Sequence, residues 1–239
     1  MQLRSAARTD IGQVRYHNED RLLCDDALRL YGVADGIGGL PRGADAAQLA
    51  VELVQDGIRD LAGGACRLAN LVREINAAVV ALGRRVSPHR GIGTTLTFGL
   101  FRDGHLDLAH VGDSRCYCLR NEKLACLTTD HSVENEARAK AAQGRPYWYN
   151  PLQGGALTRC IGQFANLEID TFHRRLRDGD RYLFCSDGIT KQIDETELAT
   201  LLAAAAAPDE IIRGLVDLAS RRGGYDNASA VLVFVDKAE

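Results

Sequence analysis

The spacing of apolar residues predicts two strands followed by two helices in the first third of the chain. Residues 28–34 form an apolar run that is typical of a buried strand and that ends at Asp35. Apolar residues then recur at three- or four-residue intervals over residues 46–61 and again over residues 68–82. Each of these two helices therefore has one apolar stripe that must be buried against another part of the fold.

The middle of the chain changes to the two-residue period of strands. Alternation predicts strands around residues 96–100 and 106–110, and residues 117–120 and 123–127 predict a hairpin that turns at Asn121-Glu122. Further predicted elements are a short helix at 132–143, an irregular loop at 144–155, strands at 167–174, 181–185 and 230–235, and a helix at 209–220. Because strands and helices do not alternate strictly, the pattern favours an α+β fold with antiparallel sheets and outer helices.

Length and composition restrict the class of protein. The 239 residues, 46% hydrophobic and 26% charged, suit one large or two small globular domains. A net charge of −3 argues against a dedicated nucleic-acid binder and against a polybasic membrane anchor. No apolar run approaches the ~20 residues of a membrane-spanning helix, and the N-terminal residues lack the apolar core of a secretory signal. We therefore expect a cytoplasmic protein without a membrane segment.

The cysteines predict free thiols. There are seven, an odd number, and no C-x-x-C pair occurs among them. Buried thiols in a reducing compartment are the simplest interpretation. Cys116 and Cys118 share one face of a predicted strand, where a metal pair is an alternative, although no neighbouring residues complete a four-ligand set. No cysteine is followed six residues later by arginine, which excludes the cysteine phosphatases.

Four aspartates share one local context at the edges of predicted strands. Asp35, Asp113, Asp187 and Asp226 each lie next to an apolar strand and close to glycine or a turn. Strand ends that are distant in sequence can meet in space, and carboxylates gathered in one cleft repel one another unless they share protons or bind cations. Oxygen ligands select Mg²⁺, Mn²⁺ or Ca²⁺ over zinc. The alternative is that each of these aspartates simply belongs to a turn.

A further candidate is the segment Arg15-Tyr-His-Asn-Glu-Asp20. An arginine among acidic residues forms either a surface ion pair or an anion clamp, because the guanidinium fork matches phosphate oxygens. The residues by themselves leave both interpretations open.

Eight segments in order carry a resemblance to a known family: residues 15–20, 33–39, 91–95, 110–115, 127–132, 157–162, 184–188 and Asp226-Asn227. Together they resemble the bacterial form of the PP2C, or PPM, metal-dependent Ser/Thr protein phosphatases, over almost the whole chain. The resemblance implies a single domain over residues 1–239, built as a four-layer αββα sandwich of two mostly antiparallel sheets flanked by helices. It also implies a flap-like insertion at about 133–165.

The resemblance assigns a metal centre to the aspartates. It implies that Asp35 bridges two Mn²⁺ or Mg²⁺ ions and that the Gly36 carbonyl binds one of them. Asp187 and Asp226 would hold the other ion. Asp113, together with Asp187, matches a third-metal site found in bacterial members.

The resemblance assigns further residues around that centre. Arg15 matches the arginine that binds the substrate phosphate, and Arg15, Asp35 and Asp187 form the expected catalytic set. Glu19, Asp20 and Asn227 are expected to contact water molecules bound to the metal ions, rather than the ions themselves.

The general acid departs from the eukaryotic pattern. Eukaryotic members have a histidine where this chain has Ile37, which cannot donate a proton. A metal-bound water is one candidate for the acid that protonates the leaving group, and His110 and His131 are others.

The chemistry implied by the resemblance is phosphomonoester hydrolysis. Two ions that share a carboxylate lower the pKa of a bridging water, and the resulting hydroxide attacks phosphorus in line while the cations and Arg15 stabilise the developing charge. Expected partners are proteins phosphorylated on Ser or Thr, a cognate Ser/Thr kinase and its targets, and the chain is expected to be monomeric. The alternative is a catalytically inactive relative that binds phosphoproteins or serves as a scaffold.

Overall fold

The computed structural model describes residues 1–60, 65–145, 147–164 and 166–239. The strands are β1 (Gln2–Asp10), β2 (Asp20–Asp25), β3 (Leu30–Asp35), β4 (Leu96–Arg102), β5 (His105–Val111), β6 (Arg115–Arg120), β7 (Lys123–Cys126), β8 (Asp170–Arg175), β9 (Arg181–Cys185) and β10 (Ala228–Lys237). The helices are α1 (Gly43–Asp60), α2 (Ala65–Val86), α3 (Val133–Ala142), α4 (Asp187–Thr190), α5 (Glu195–Ala203) and α6 (Pro208–Arg221), with a short 3₁₀ turn at Pro151–Gln153.

The strands form two five-stranded sheets in which every pairing is antiparallel. The first sheet has the order β1-β10-β9-β6-β7, and the second has the order β2-β3-β4-β5-β8. Helices α1 and α2 pack on the second sheet, while α4, α5 and α6 pack on the first. The order of layers is therefore helix, sheet, sheet, helix, which confirms the predicted αββα sandwich.

Three apolar cores hold these layers together. One lies between α1, α2 and the second sheet, and another lies between α4, α5, α6 and the first sheet. The third lies between the sheets, where Phe101 of one sheet makes edge-to-face contacts with Tyr182 and Phe184 of the other and with Tyr31 of its own sheet. Because both faces of each sheet are covered, the strand ends are left to form the functional surface.

Most of the predicted elements are present with shifted boundaries. The strand predicted at 167–174 begins at Asp170, and Leu167 instead packs into the core under α1 and α2. Strand β1 was not located from the sequence because, as an edge strand of small and polar residues, it has no clear apolar alternation. Helix α5 was missed as well, since residues 201–207 stand out only as an Ala-rich run.

Six cysteines have described side chains, and all six are free thiols. Cys116 and Cys118 lie on the same face of β6, in the core between the sheets, as predicted. Cys24 is exposed, so the expectation that the thiols are buried is wrong for that residue. The side chain of Cys66, and residue 61 of the predicted helical stripe, lie outside the described part of the chain. Within the described residues, no helix has the length and apolar character required to cross a membrane.

Candidate metal centre

The predicted aspartates line a single cavity of about 430 Å³ at one end of the sandwich. Asp35, from the end of β3, and Asp113, which follows β5, come from the second sheet. Asp187, which follows β9, and Asp226, which precedes β10, come from the first sheet. Other residues that line it include Arg15, Glu19, Gly36, Ile37, Gly38, Thr95, Cys160, Lys191 and Asn227. The strand ends of both sheets thus bring together side chains that are far apart in sequence.

Two neighbouring threonines, Thr94 and Thr95, hold the backbone of Asp35 at the cavity. Its N–H donates to Thr95 Oγ1 at 2.9 Å, and its carbonyl oxygen accepts from Thr94 Oγ1 and Thr95 N, each at 2.8 Å. The next residue, Gly36, has no room for a side chain, because a Cβ there would lie 2.5 Å from the carbonyl carbon of Gly43. The Asp-Gly pair therefore has a role in close packing as well as in the turn.

Asp20 lies directly behind Asp35, with which it pairs in the register of β2 and β3. It is only 3% exposed, and its Oδ2 accepts from Ser186 Oγ at 2.8 Å. Its Oδ1 is buried without a hydrogen-bond partner among the described residues. Burial raises the pKa of Asp20 to about 6, against the effect of hydrogen bonds from Ser229 and Ser186.

Two of the four aspartates face a basic side chain. Asp187 begins the one-turn helix α4, and its Oδ2 accepts from Lys191 Nζ. Asp226 Oδ2 accepts from Arg15 Nη2 at 2.9 Å. Asp187 Oδ1, like Asp20 Oδ1, is buried without a hydrogen-bond partner among the described residues. Sequence analysis did not assign Lys191, although its spacing of four residues from Asp187 is the spacing of a helical ion pair.

Burial, followed by mutual repulsion, determines the electrostatics of this cavity. Burial raises the pKa of Asp35 well above its usual range, and the Asp20, Asp187, Asp113 and Asp226 carboxylates raise it further. Burial, together with Asp187, raises the pKa of Asp113 to about 7, although Lys191 opposes this shift. Five carboxyl groups in one partly desolvated space therefore require protons or cations to be stable.

The residues fit hard divalent ions by their chemistry, although their present arrangement is not a finished coordination shell. Among the residues described, no three His, Cys, Asp or Glu side chains form a ready-made metal-binding group. Asp187 and Asp226 each contact a basic side chain instead. The all-oxygen donor set, the repulsion at Asp35 and the two unpartnered carboxylate oxygens fit Mg²⁺ or Mn²⁺.

Arg15 lies at the edge of the cavity with 38% of its side chain exposed. A Cβ at Gly38 would come within 2.7 Å of Arg15 Nη1, so glycine at this position leaves space for the guanidinium. The ion pair with Asp226 positions the guanidinium next to the carboxylates and leaves it partly open to solvent. Both interpretations of Arg15, ion pair and anion clamp, are compatible with this position.

Asn227 anchors the loop that carries Arg15 and Glu19. Its Oδ1 accepts from Glu19 N at 2.8 Å, and its Nδ2 donates to Ile11 O at 2.9 Å and to His17 O at 3.1 Å. The residue is only 5% exposed. The hydrogen bonds of the Asn227 side chain thus go to backbone groups, although both Asn227 and Glu19 line the cavity.

His110 and His131 lie outside the set of residues that line this cavity. His110 is fully buried, and its ring nitrogens contact Thr97 Oγ1 at 2.8 Å and Thr129 O at 3.1 Å. Burial and the neighbouring His131 lower its pKa to about 4. His131 Nδ1 accepts from Gly112 N at 3.1 Å. Both imidazoles therefore support the loops behind Asp113.

Comparison with known proteins places this architecture in one family. The family described as Protein phosphatase 2C matches residues 14–215. The chain is 32% identical to the Serine/threonine phosphatase stp of Listeria monocytogenes over 95% of this chain and 93% of that protein. It is 37% identical to the Serine/threonine protein phosphatase PstP of Mycobacterium tuberculosis, covering 98% of this chain but 45% of that longer protein.

Solved structures agree with the sequence comparison. PppA of Pseudomonas aeruginosa, described as a key regulatory component of T6SS, superimposes with a TM-score of 0.85 at 29% identity, over 98% of each chain. The catalytic domain of PstP in complex with two manganese ions superimposes with a TM-score of 0.83 at 34% identity, over 97% of each chain. With the αββα sandwich and the aspartate-lined cavity at its strand ends, the chain belongs to the protein phosphatase 2C family.

Proposed function

We propose that this chain is a protein-serine/threonine phosphatase that hydrolyses phosphoserine and phosphothreonine with the help of two Mn²⁺ or Mg²⁺ ions. The observation that supports this function is the convergence of Asp35, Asp187 and Asp226 in one cavity, with Arg15 at its edge. The names of the Listeria and Mycobacterium relatives support the substrate class, and the two manganese ions in the PstP structure support the cofactor.

Each candidate ligand is assigned to one or both of the two ions. Asp35 would contact both ions. The Gly36 carbonyl would bind the first ion, and Asp187 and Asp226 would bind the second. Asp187 has its buried Oδ1 available for this role. When bound, the ions lower the pKa of water to near neutrality and offset the charge of the phosphoryl oxygens.

Arg15 orients the phosphate in this proposal. Its guanidinium has donors beyond the one that contacts Asp226, and these can bind phosphate oxygens at the open side of the cavity. Asp226 thus fixes the arginine, and the loop anchor Asn227 fixes the segment from which it projects. Preformed positioning of this kind stabilises charge that develops on the phosphoryl group.

The proton for the leaving group comes from water in the cavity. Ile37 lines the cavity but has no proton to give, and His110 and His131 are not among the lining residues. The buried carboxyl Asp20, with its raised pKa, keeps its contacts to Ser186 and stays behind Asp35. None of these side chains is therefore assigned as the general acid.

Residues 133–165 are proposed to select the substrate. Gly155, Ala156 and Leu157 from this segment line the cavity, while Trp148 and Leu152 are 95% and 94% exposed. The segment can thus contact a protein substrate while one part of it faces the aspartates. The proposed partners are a cognate Ser/Thr kinase and its targets. The single domain, the monomeric state and the cytoplasmic location of the protein remain predictions from the sequence.

Metal-dependent turnover of a phosphothreonine peptide tests this function. The chain should release phosphate in Mn²⁺ and lose this activity in EDTA, and Asp35→Asn should be inactive although it folds. Asp209→Asn is a matched control, because Asp209 pairs with Arg213 on the exposed face of α6. Binding of the phosphopeptide without metal-dependent release of phosphate would instead favour the inactive, phosphoprotein-binding alternative.

A further inference from the structure

Lys191 places a permanent positive charge inside the candidate metal centre. It follows the one-turn helix α4, and its backbone N–H donates to Asp187 O at 2.8 Å. This helical geometry brings Lys191 Nζ onto Asp187 Oδ2, four residues earlier in the chain. Lys191 and Asp113 both line the same cavity. The ammonium group is therefore built into the site by local backbone structure and does not depend on a distant loop.

The two oxygens of Asp187 have different surroundings. Oδ2 contacts the ammonium of Lys191, whereas Oδ1 is buried and has no hydrogen-bond partner among the described residues. The carboxylate as a whole is only 16% exposed. Oδ1 is thus available to one of the two ions of the proposed function, while the ammonium of Lys191 already neutralises Oδ2.

The field of Lys191 extends to the neighbouring aspartates. Burial opposes the charge of Lys191, yet its pKa is raised because the carboxylates of Asp187, Asp226 and Asp113 outweigh that effect. In return, Lys191 is the cation that opposes the rise in the pKa of Asp113. The ammonium contacts Asp187 and shares the cavity with Asp113, and these are the two residues to which the family resemblance assigns a third ion.

We propose that Lys191 Nζ takes the place of a third divalent ion at Asp113 and Asp187, so that this chain binds two ions and excludes a third. A divalent ion at this position would have to displace the ammonium from Asp187 Oδ2 or approach it against charge repulsion. The inference rests on the proposed function, because it presumes that the core pair of ions binds.

Counting bound Mn²⁺ tests the inference without measuring activity. The free Mn²⁺ signal in electron paramagnetic resonance gives the stoichiometry of the wild-type chain, Lys191→Met, Lys191→Arg and the double variant Lys191→Met/Asp113→Asn. The wild type and Lys191→Arg should bind two ions. Lys191→Met should bind a third ion, with a dissociation constant at least about tenfold below the highest Mn²⁺ concentration at which the wild type still binds only two. The double variant should return to two ions.

Anomalous scattering from Mn²⁺-soaked crystals of Lys191→Met should place the additional ion at Asp113. A third ion in the wild type, or two ions in Lys191→Met, would overturn the inference and leave the proposed function standing. A wild-type chain that binds no Mn²⁺ would overturn the proposed function and the inference together. Thermal unfolding of each variant verifies that the counted protein is folded, which is expected because 58% of the Lys191 side chain is exposed.

Discussion

Replacing Asn227 by alanine should release the loop that carries Arg15 and Glu19. The side chain makes three hydrogen bonds to the backbone of this loop, at 2.8, 2.9 and 3.1 Å. At about 1 kcal/mol each, their loss weakens the attachment of the loop by about 3 kcal/mol. Since ~1.4 kcal/mol corresponds to a factor of ten, opening of the loop should become about a hundredfold more frequent.

Hydrogen exchange at the Glu19 amide measures this opening directly, because that N–H donates to Asn227 Oδ1. In Asn227→Ala it should exchange about a hundredfold faster, and the KM for a phosphopeptide should rise because Arg15 is no longer held in place. Asn76→Ala is a matched control: Asn76 makes two similar bonds, with Gly162 N at 2.8 Å and Gln163 O at 3.0 Å.

Unchanged exchange at Glu19 in Asn227→Ala would refute the assignment of Asn227 as the loop anchor. If the same variant bound Mn²⁺ more weakly while its exchange stayed slow, the side chain would act at the metal centre, as the resemblance predicts. The control variant should leave exchange at Glu19 as it is in the wild type.

Other predictions concern the carboxylates and the arginine. Asp187→Asn should lower kcat at least about a hundredfold and weaken Mn²⁺ binding, and a near wild-type rate would remove Asp187 from the ligand set. Arg15→Ala should mainly raise the KM for a phosphopeptide, whereas unchanged kinetics would leave Arg15 only as the counter-ion of Asp226. In EDTA, the pKa of Asp113 in the folded state is raised to about 7 from the ordinary value of 3.8. The protonated carboxyl therefore stabilises the folded state most below pH 3.8, and this contribution to the free energy of unfolding is lost as the pH rises toward 7. Asp113→Asn should therefore flatten the decline of Tm over this range, and equal pH slopes in both proteins would contradict the shifted pKa.

Local patterns predicted antiparallel sheets with outer helices, whereas the order of the four layers and the clustering of the aspartates were implied by the family resemblance. Apolar periodicity marks α1, α2, β4 and β5, and the four strand-edge aspartates have similar neighbours. Strand β1 was harder to find, because its partner β10 and not its own residues determines its position at the sheet edge.

Sequence patterns do not predict the contacts between these elements. The pairing of Arg15 with Asp226 joins residues 211 positions apart, and it depends on the way in which the two sheets stack. Lys191 was overlooked although its helical spacing from Asp187 is visible, because an exposed lysine beside an aspartate ordinarily indicates a surface ion pair. The surroundings of His110 required the fold, since the alternation of β5 does not reveal what covers its imidazole.

Asp20 and Ser186 meet across the gap between the two sheets, where Ser186 Oγ donates to Asp20 Oδ2. The candidate ligands on either side of this contact likewise belong to different sheets, so any ion shared among them would hold the halves of the sandwich together. Ligation would then add to the free energy of unfolding by mass action, by about 2.7 kcal/mol at a hundredfold excess over the dissociation constant. Scarcity of manganese or magnesium would consequently shorten the lifetime of the enzyme against proteases as well as slow its turnover.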